Sequence, residues 1–174
     1  MSTEDLKSPG ITNRYATPQV QNSAGKGAPG VLRMVDDYVT TTSGVTVGST
    51  YRMVSVPTDA RVKRVTWEAG AMTQGPFDLG VYYQIDAPGH TGEVVLNAID
   101  FFGTALSAAS AVPAGSEVTN ENSGSEYPLS ARGKQLWDAL GLAADPGGYF
   151  DLVFTSTNTI TTGALLGLRV EFVV

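Results

Sequence analysis

The sequence predicts an all-β protein: an antiparallel two-sheet sandwich, jelly-roll-like, with about eight strands and one or two short helices. Three observations carry that expectation. Charged residues fill only 16% of the 174 positions while glycine alone supplies 20, and Ser and Thr are abundant, a composition suited to many turns. Short alternations of apolar and polar residues recur between clusters of Gly, Pro and Asp. Helical spacing surfaces in two short stretches, too little for a β/α alternation. Antiparallel strands in that number most often close as two packed sheets, and the jelly roll is the commonest eight-stranded form.

The elements follow in order. Residues 31–41, VLRMVDDYVTT, alternate, and the set Leu32, Met34, Asp36, Tyr38, Thr40 is expected to face the core at its start. TSGVTVGS is a turn or short strand. Tyr51, Met53 and Ser55 then oppose Arg52, Val54 and Val56 until Pro57 stops the strand. After the turn at Thr58-Asp59, residues 61–68 place Val65 and Trp67 on one face with Arg61 and Lys63, and Val62 on the other with Arg64, Thr66 and Glu68. Residues 69–76 form a loop, and 77–85 form a strand with Phe77, Leu79, Val81, Tyr83 and Ile85 on one face. DAPGHTG, 86–92, is a loop by its Pro and Gly content. Residues 94–96 read as a short strand, 97–106 as a short helix by the spacing of Ile99, Phe102 and Leu106, and 114–128 as a polar loop. Ser130 reads as an N-cap for a helix over 131–140 that closes at Gly141, with Leu136, Trp137 and Leu140 as its apolar stripe. Residues 149–155 form a strand with Phe150, Leu152 and Phe154 on one face, and 164–174 an almost wholly apolar strand suited to the sandwich centre.

Residues 1–30 differ in kind. Tyr15 is their one aromatic residue, and three prolines and four glycines leave too little apolar surface to offset the entropy of ordering. The expected organisation is an extended N-terminal arm over 1–30 and a β-sandwich domain over 31–174. The net charge is −6; Lys7, Arg14 and Lys26 against Glu4 and Asp5 give the arm +1 and leave −7 for the rest. A body of that sign repels nucleic acid. MSTEDLKSPG lacks the apolar centre of a secretory signal, and no apolar run approaches the roughly 20 residues of a membrane span, so a soluble protein made in the cytoplasm is expected. Cysteine is absent, which excludes disulfides and thiol chemistry.

Motifs for chemistry are weak. Gly25, Gly27 and Gly30 spell a dinucleotide fingerprint, but no strand precedes it, Pro29 interrupts it and a β pattern follows. His90, flanked by Asp86 and Glu93, has the composition of a metal site within what reads as a tight turn. Asp36 and Asp37, neighbours on a strand, point to opposite faces and cannot share a substrate. Asp78 and Asp151 read as outward-facing or turn-capping, so no catalytic residue, cofactor or metal is expected. Arg61, Lys63 and Arg64 form the basic cluster, either a solvated strand end or an ion-pairing patch for an acidic partner. Trp67, Tyr82 and Tyr83 are core residues, or else a stacking platform for sugars.

Four stretches together resemble a known family. They are Gly48-Ser49-Thr50-Tyr51-Arg52, Pro57-Thr58-Asp59-Ala60-Arg61-Val62, Asp78-Leu79-Gly80-Val81-Tyr82 and Asp100-Phe101-Phe102. In that order they are similar to the capsid decoration, or cement, proteins of tailed bacteriophages. The resemblance implies a jelly-roll-like sandwich on the capsid surface of the virion, clamping adjacent major capsid protein subunits. It further implies self-association as a dimer or trimer, and no catalysis, nucleic acid or membrane. The resemblance does not extend to the arm; the expected partner contacts are Arg14, Tyr15 and Lys26 of the arm and Arg61, Lys63 and Arg64 of the body. The alternative is a carbohydrate-binding module of a phage fibre, which needs Trp67, Tyr82 or Tyr83 exposed. An enzyme would need Asp78, Asp86 or Asp151 converging in a cleft.

Overall fold

Among the residues described by the structure, a computed structural model covering 17–18, 20, 30–73, 76–119, 127–128 and 130–174, eight strands form two antiparallel sheets. The strands are β1 (Leu32–Thr40), β2 (Thr50–Pro57), β3 (Arg61–Ala69), β4 (Pro76–Tyr83), β5 (Gly103–Ser107), β6 (Val112–Glu117), β7 (Tyr149–Ser156) and β8 (Leu165–Val173). One sheet runs β1-β8-β3-β6 and the other β2-β7-β4-β5. The pairs β1·β8, β2·β7, β3·β6 and β4·β5 are those of one long hairpin, and β3·β8 and β4·β7 join it when it rolls up. That is the jelly-roll topology the strand count predicts.

The core lies between the sheets. Phe77, Leu79, Val81, Phe150, Leu152 and Phe154 line one side, as the period-2 pattern predicts, and Val62, Val65, Trp67, Leu166, Leu168 and Val170 line the other. Phe154 sits 5.8 Å from Phe77 and 5.9 Å from Trp67 between ring centroids. A second knot joins Phe101, Phe102 and Tyr127, whose hydroxyl donates to the Val62 carbonyl at 2.8 Å.

Several local expectations are corrected. On β1 the half-buried residues are Val35 and Val39, while Leu32, Met34 and Tyr38 point outward. Val35 opposes Val170 and Val39 opposes Leu166, whose side chains are core, so the register of β8 decides the face. β2 and β3 change parity within the strand. A register shift between Arg52 and Val54 turns both Val54 and Val56 inward. Another, between Val62 and Arg64, puts Val62 and Val65 on the same core face. A bulge inserts one residue, which simple alternation does not anticipate. Ile85 lies beyond the end of β4 and is exposed.

The helix expected over 97–106 is absent; residues 103–107 form β5, and the preceding loop is hydrogen-bonded to β4. The strand expected at 94–96 is a single bridge, Val94 to Tyr82. β6, an edge strand whose Pro113 and Gly115 hide it from propensity, overlaps the start of the expected polar loop. The helix expected over 131–140 is a 3₁₀ turn (Ala131–Gly133) followed by one α turn, α1 (Leu136–Ala139). The break arises because the Leu136 and Trp137 amides donate to the carbonyls of Ala60 and Thr58, on the β2–β3 turn, rather than to a preceding helical turn.

Candidate interaction surface

The outer face of the second sheet is covered. The backbone of the 84–102 loop runs beside β4: the Tyr83 amide donates to Glu93, Val81 to Ala98, Val95 to Val81 and Phe102 to Leu79, at 2.9–3.0 Å. Arg52 fastens it. Its guanidinium donates to Asp151 Oδ2 at 2.8 Å, to the Tyr83 carbonyl at 3.0 Å and to the Gly92 carbonyl, and lies 5.6 Å from the centre of the Tyr82 ring. Ser55 Oγ donates to the other Asp151 oxygen at 2.7 Å, and the Tyr82 hydroxyl bonds Thr155 Oγ1 at 2.7 Å. Asp78 caps β5, accepting from the Ala105 amide at 2.9 Å and Thr104 Oγ1 at 3.2 Å. Asp78 and Asp151 thus have structural partners, but both lie within strands and Asp151 is buried under the loop, so neither caps a turn.

The stacking platform does not form. Trp67 is core, and Tyr82 is buried under Arg52. Half-buried Tyr83 is covered by the His90 ring, stacked at 3.5 Å. His90 Nδ1 pairs with Glu93, and the Thr91 amide donates to Glu93 at 2.7 Å. No group of three or more metal-ligating side chains lies together among the described residues. The His90 imidazole, then the Thr91 N–H, hold the Glu93 carboxyl down at about 2, below its ordinary 4.5. Because the folded state holds the proton less tightly, this contribution to stability is present above pH 4.5 and is lost as pH falls towards 2. His90→Ala should therefore move the Glu93 midpoint up towards the ordinary carboxylate range in a ¹³C NMR titration. An unmoved midpoint would take His90 out of the account.

The basic cluster is divided by the bulge in β3. Lys63 turns to the 3₁₀ turn, where its ammonium donates to the Arg132 carbonyl at 2.6 Å. Burial lowers its pKa, and the neighbouring charges of Arg61 and Arg132 lower it further. Arg64 points outward, 3.7 Å from Glu117, which Arg132 also meets at 3.2 Å. Arg61 is half-buried. Sequence neighbours thus meet different partners, while the Arg61 and Arg132 charges stay within reach of Lys63. Arg14, Tyr15 and Lys26, with Gly25 and Gly27, lie outside the described residues.

The surface that sequence reasoning missed is β1. Leu32, Met34 and Tyr38 are 58%, 57% and 65% exposed, where a core row would be near zero. Val31 precedes them, and Leu165 and Val174 flank them on the β8 side, all exposed. The strand itself carries no clear signal, since both rows mix apolar and charged residues: Arg33 and Asp37 share the row of Val35 and Val39, and Asp36 the opposite one. Further along the same outer face, Gly167 leaves a shallow groove edged by Tyr38, Thr66, Glu68 and Arg169.

No family model matches the chain, and no curated protein matches it. Among solved structures, it is similar to a chain titled "Cyanophage Pam1 capsid asymmetric unit", with 13% identity and a TM-score of 0.49 over 90% of this chain and 95% of that one.

Proposed function

We propose that this chain is a structural virion protein that decorates a phage capsid and cements it by binding across adjacent major capsid protein subunits. The observation that carries the reading is where the family-like residues fall. Arg52 and Tyr82 meet in the loop clasp, Gly80 admits the loop backbone, Asp78 caps β5, and Phe101 and Phe102 are core. The stretches that resemble cement proteins thus belong to one scaffold, and their polar groups are used in holding it together. Such a body binds through its surface rather than through a reactive cleft.

In this reading residues 1–30 lie across neighbouring capsid subunits, with Arg14, Tyr15 and Lys26 as contacts, while Arg61, Lys63 and Arg64 lend positive charge to one end of the body. Ordering an arm costs about 1 kcal/mol per residue or more, so its contacts must be long and repeated. Attachment at two places raises the effective affinity without new chemistry. A chain starting at Val31 should give the same circular dichroism and thermal unfolding as the full protein. It should bind capsids stripped of the protein roughly 100-fold more weakly in co-sedimentation. Equal binding would remove the arm from the mechanism, and particles imaged without a regular array of added density would remove decoration itself.

A further inference from the structure

A sheet edge offers unpaired backbone groups to any strand that approaches, and proteins blunt such edges with bulges, prolines, lysines or shortness. Three of the four edges here are blunted. β2 carries a register shift and ends in Pro57. β5 has five residues and a left-handed Ala105, φ 50°. β6 has six residues and contains Pro113 and Gly115. β1 has none of these devices: its nine residues pair with β8 without a register shift, and it holds neither proline nor lysine.

We propose that the free edge of β1 is an interface with a second copy of this chain. The two β1 strands would run antiparallel about a two-fold axis at Val35, joining the two four-stranded sheets into one. The backbone phase allows it. The Thr41 amide points at β8, donating to the Ala164 carbonyl at 2.9 Å, so along this regular strand the even-numbered residues from Leu32 to Thr40 direct their backbone groups to the free edge. Among the described residues nothing pairs with that edge except the Asp37 side chain, which accepts from the Tyr38 amide at 2.8 Å.

Charge selects the register. With Val35 on the axis, Arg33 faces the partner's Asp37, and the same pair recurs on the other side of the axis. Leu32 faces the partner's Tyr38, and Val31 the partner's Val39, so apolar residues meet apolar ones. Met34 faces the partner's Asp36. Moving the axis one residue to Asp36 sets that carboxylate against its own copy; moving it to Asp37 or Arg33 sets like charges together in the same way. Directly opposed unlike charges stabilise a strand pair and like charges oppose it. Arg33 is exposed and makes no ion pair among the described residues, so it is available. Charges on an edge ordinarily repel an incoming strand; here their order admits one partner in one register, as an isologous contact requires.

Sedimentation equilibrium on the full chain tests this. The wild type should show a concentration-dependent mass reaching twice 18.2 kDa. Arg33→Asp and Asp37→Arg alone should each weaken the dimer by about ten-fold or more, since each reversal places like charges in both symmetric pairs. The double variant should recover dimerisation. Met34→Pro, which removes an edge amide that is not donated within the fold, should be monomeric with unchanged circular dichroism. A monomeric or trimeric wild type, or single reversals that dimerise like the wild type, would overturn the proposal. Capsid binding is a separate measurement, and its absence would leave the dimer standing.

Discussion

Arg52→Ala is expected to cost about 3 kcal/mol and to loosen the 84–102 loop from the sheet. The guanidinium is the common partner of Asp151, two loop carbonyls and the Tyr82 face. Removing it leaves Asp151, whose side chain is 12% exposed, with the Ser55 hydroxyl, at 2.7 Å, as its remaining side-chain partner. A largely buried carboxylate without its cation is the costly species, more so than the loss of attraction itself. For a chain of this length the loss should lower the melting temperature by roughly 6–12 °C. Hydrogen exchange should accelerate at the Val81 and Tyr83 amides, which donate into the loop. Asp151→Ala added to Arg52→Ala should cost less than the two single losses summed, because it removes the stranded charge. Additive losses, or unchanged exchange at Val81 and Tyr83, would show that the clasp does not hold the loop.

The sandwich was legible because β4 and β7 keep strict alternation: Phe77, Leu79, Val81 and Phe150, Leu152, Phe154 are all fully buried. β8 was legible as central from its apolar run, and it does lie between β1 and β3. What simple alternation could not deliver was the phase of β2 and β3, since a bulge depends on partner strands distant in sequence. The same non-local cause hid β5 and β6. Ile99, Phe102 and Leu106 fall at helical spacing, yet the loop backbone is satisfied by the edge of β4 instead. The interaction surface was harder still. The alternation along β3 did not foretell the partners of Lys63 and Arg64, which the bulge sends to the Arg132 carbonyl and to Glu117. On β1 both rows are partly apolar, so only the pairing of Val35 with Val170 distinguishes core from surface.

Gly80→Ala should be at least as damaging as the loss of Arg52, for a steric reason. Gly80 lies in the middle of β4, opposite Val153, on the face away from the core. A Cβ there would fall far inside van der Waals contact with the carbonyl oxygens of Ala98 and Ile99. Those are backbone atoms, so no rotamer change relieves the clash; the loop must move or β4 must bend. Moving the loop sacrifices the Ala98 bond to Val81 at 2.9 Å and shifts Phe101 and Phe102 away from Tyr127. The expected cost is about 3 kcal/mol or more, read as a melting temperature lower by roughly 6–12 °C. Gly115→Ala is a useful contrast. Its φ of 82° makes alanine strained, but nothing lies within 4 Å of the added Cβ, so the cost should be limited to about 1 kcal/mol of backbone strain. If the two substitutions proved equally costly, backbone strain rather than the loop's approach would explain the glycine in β4. Since Gly80 has no left-handed φ, that result would contradict the close packing of loop on sheet from which the clasp is built.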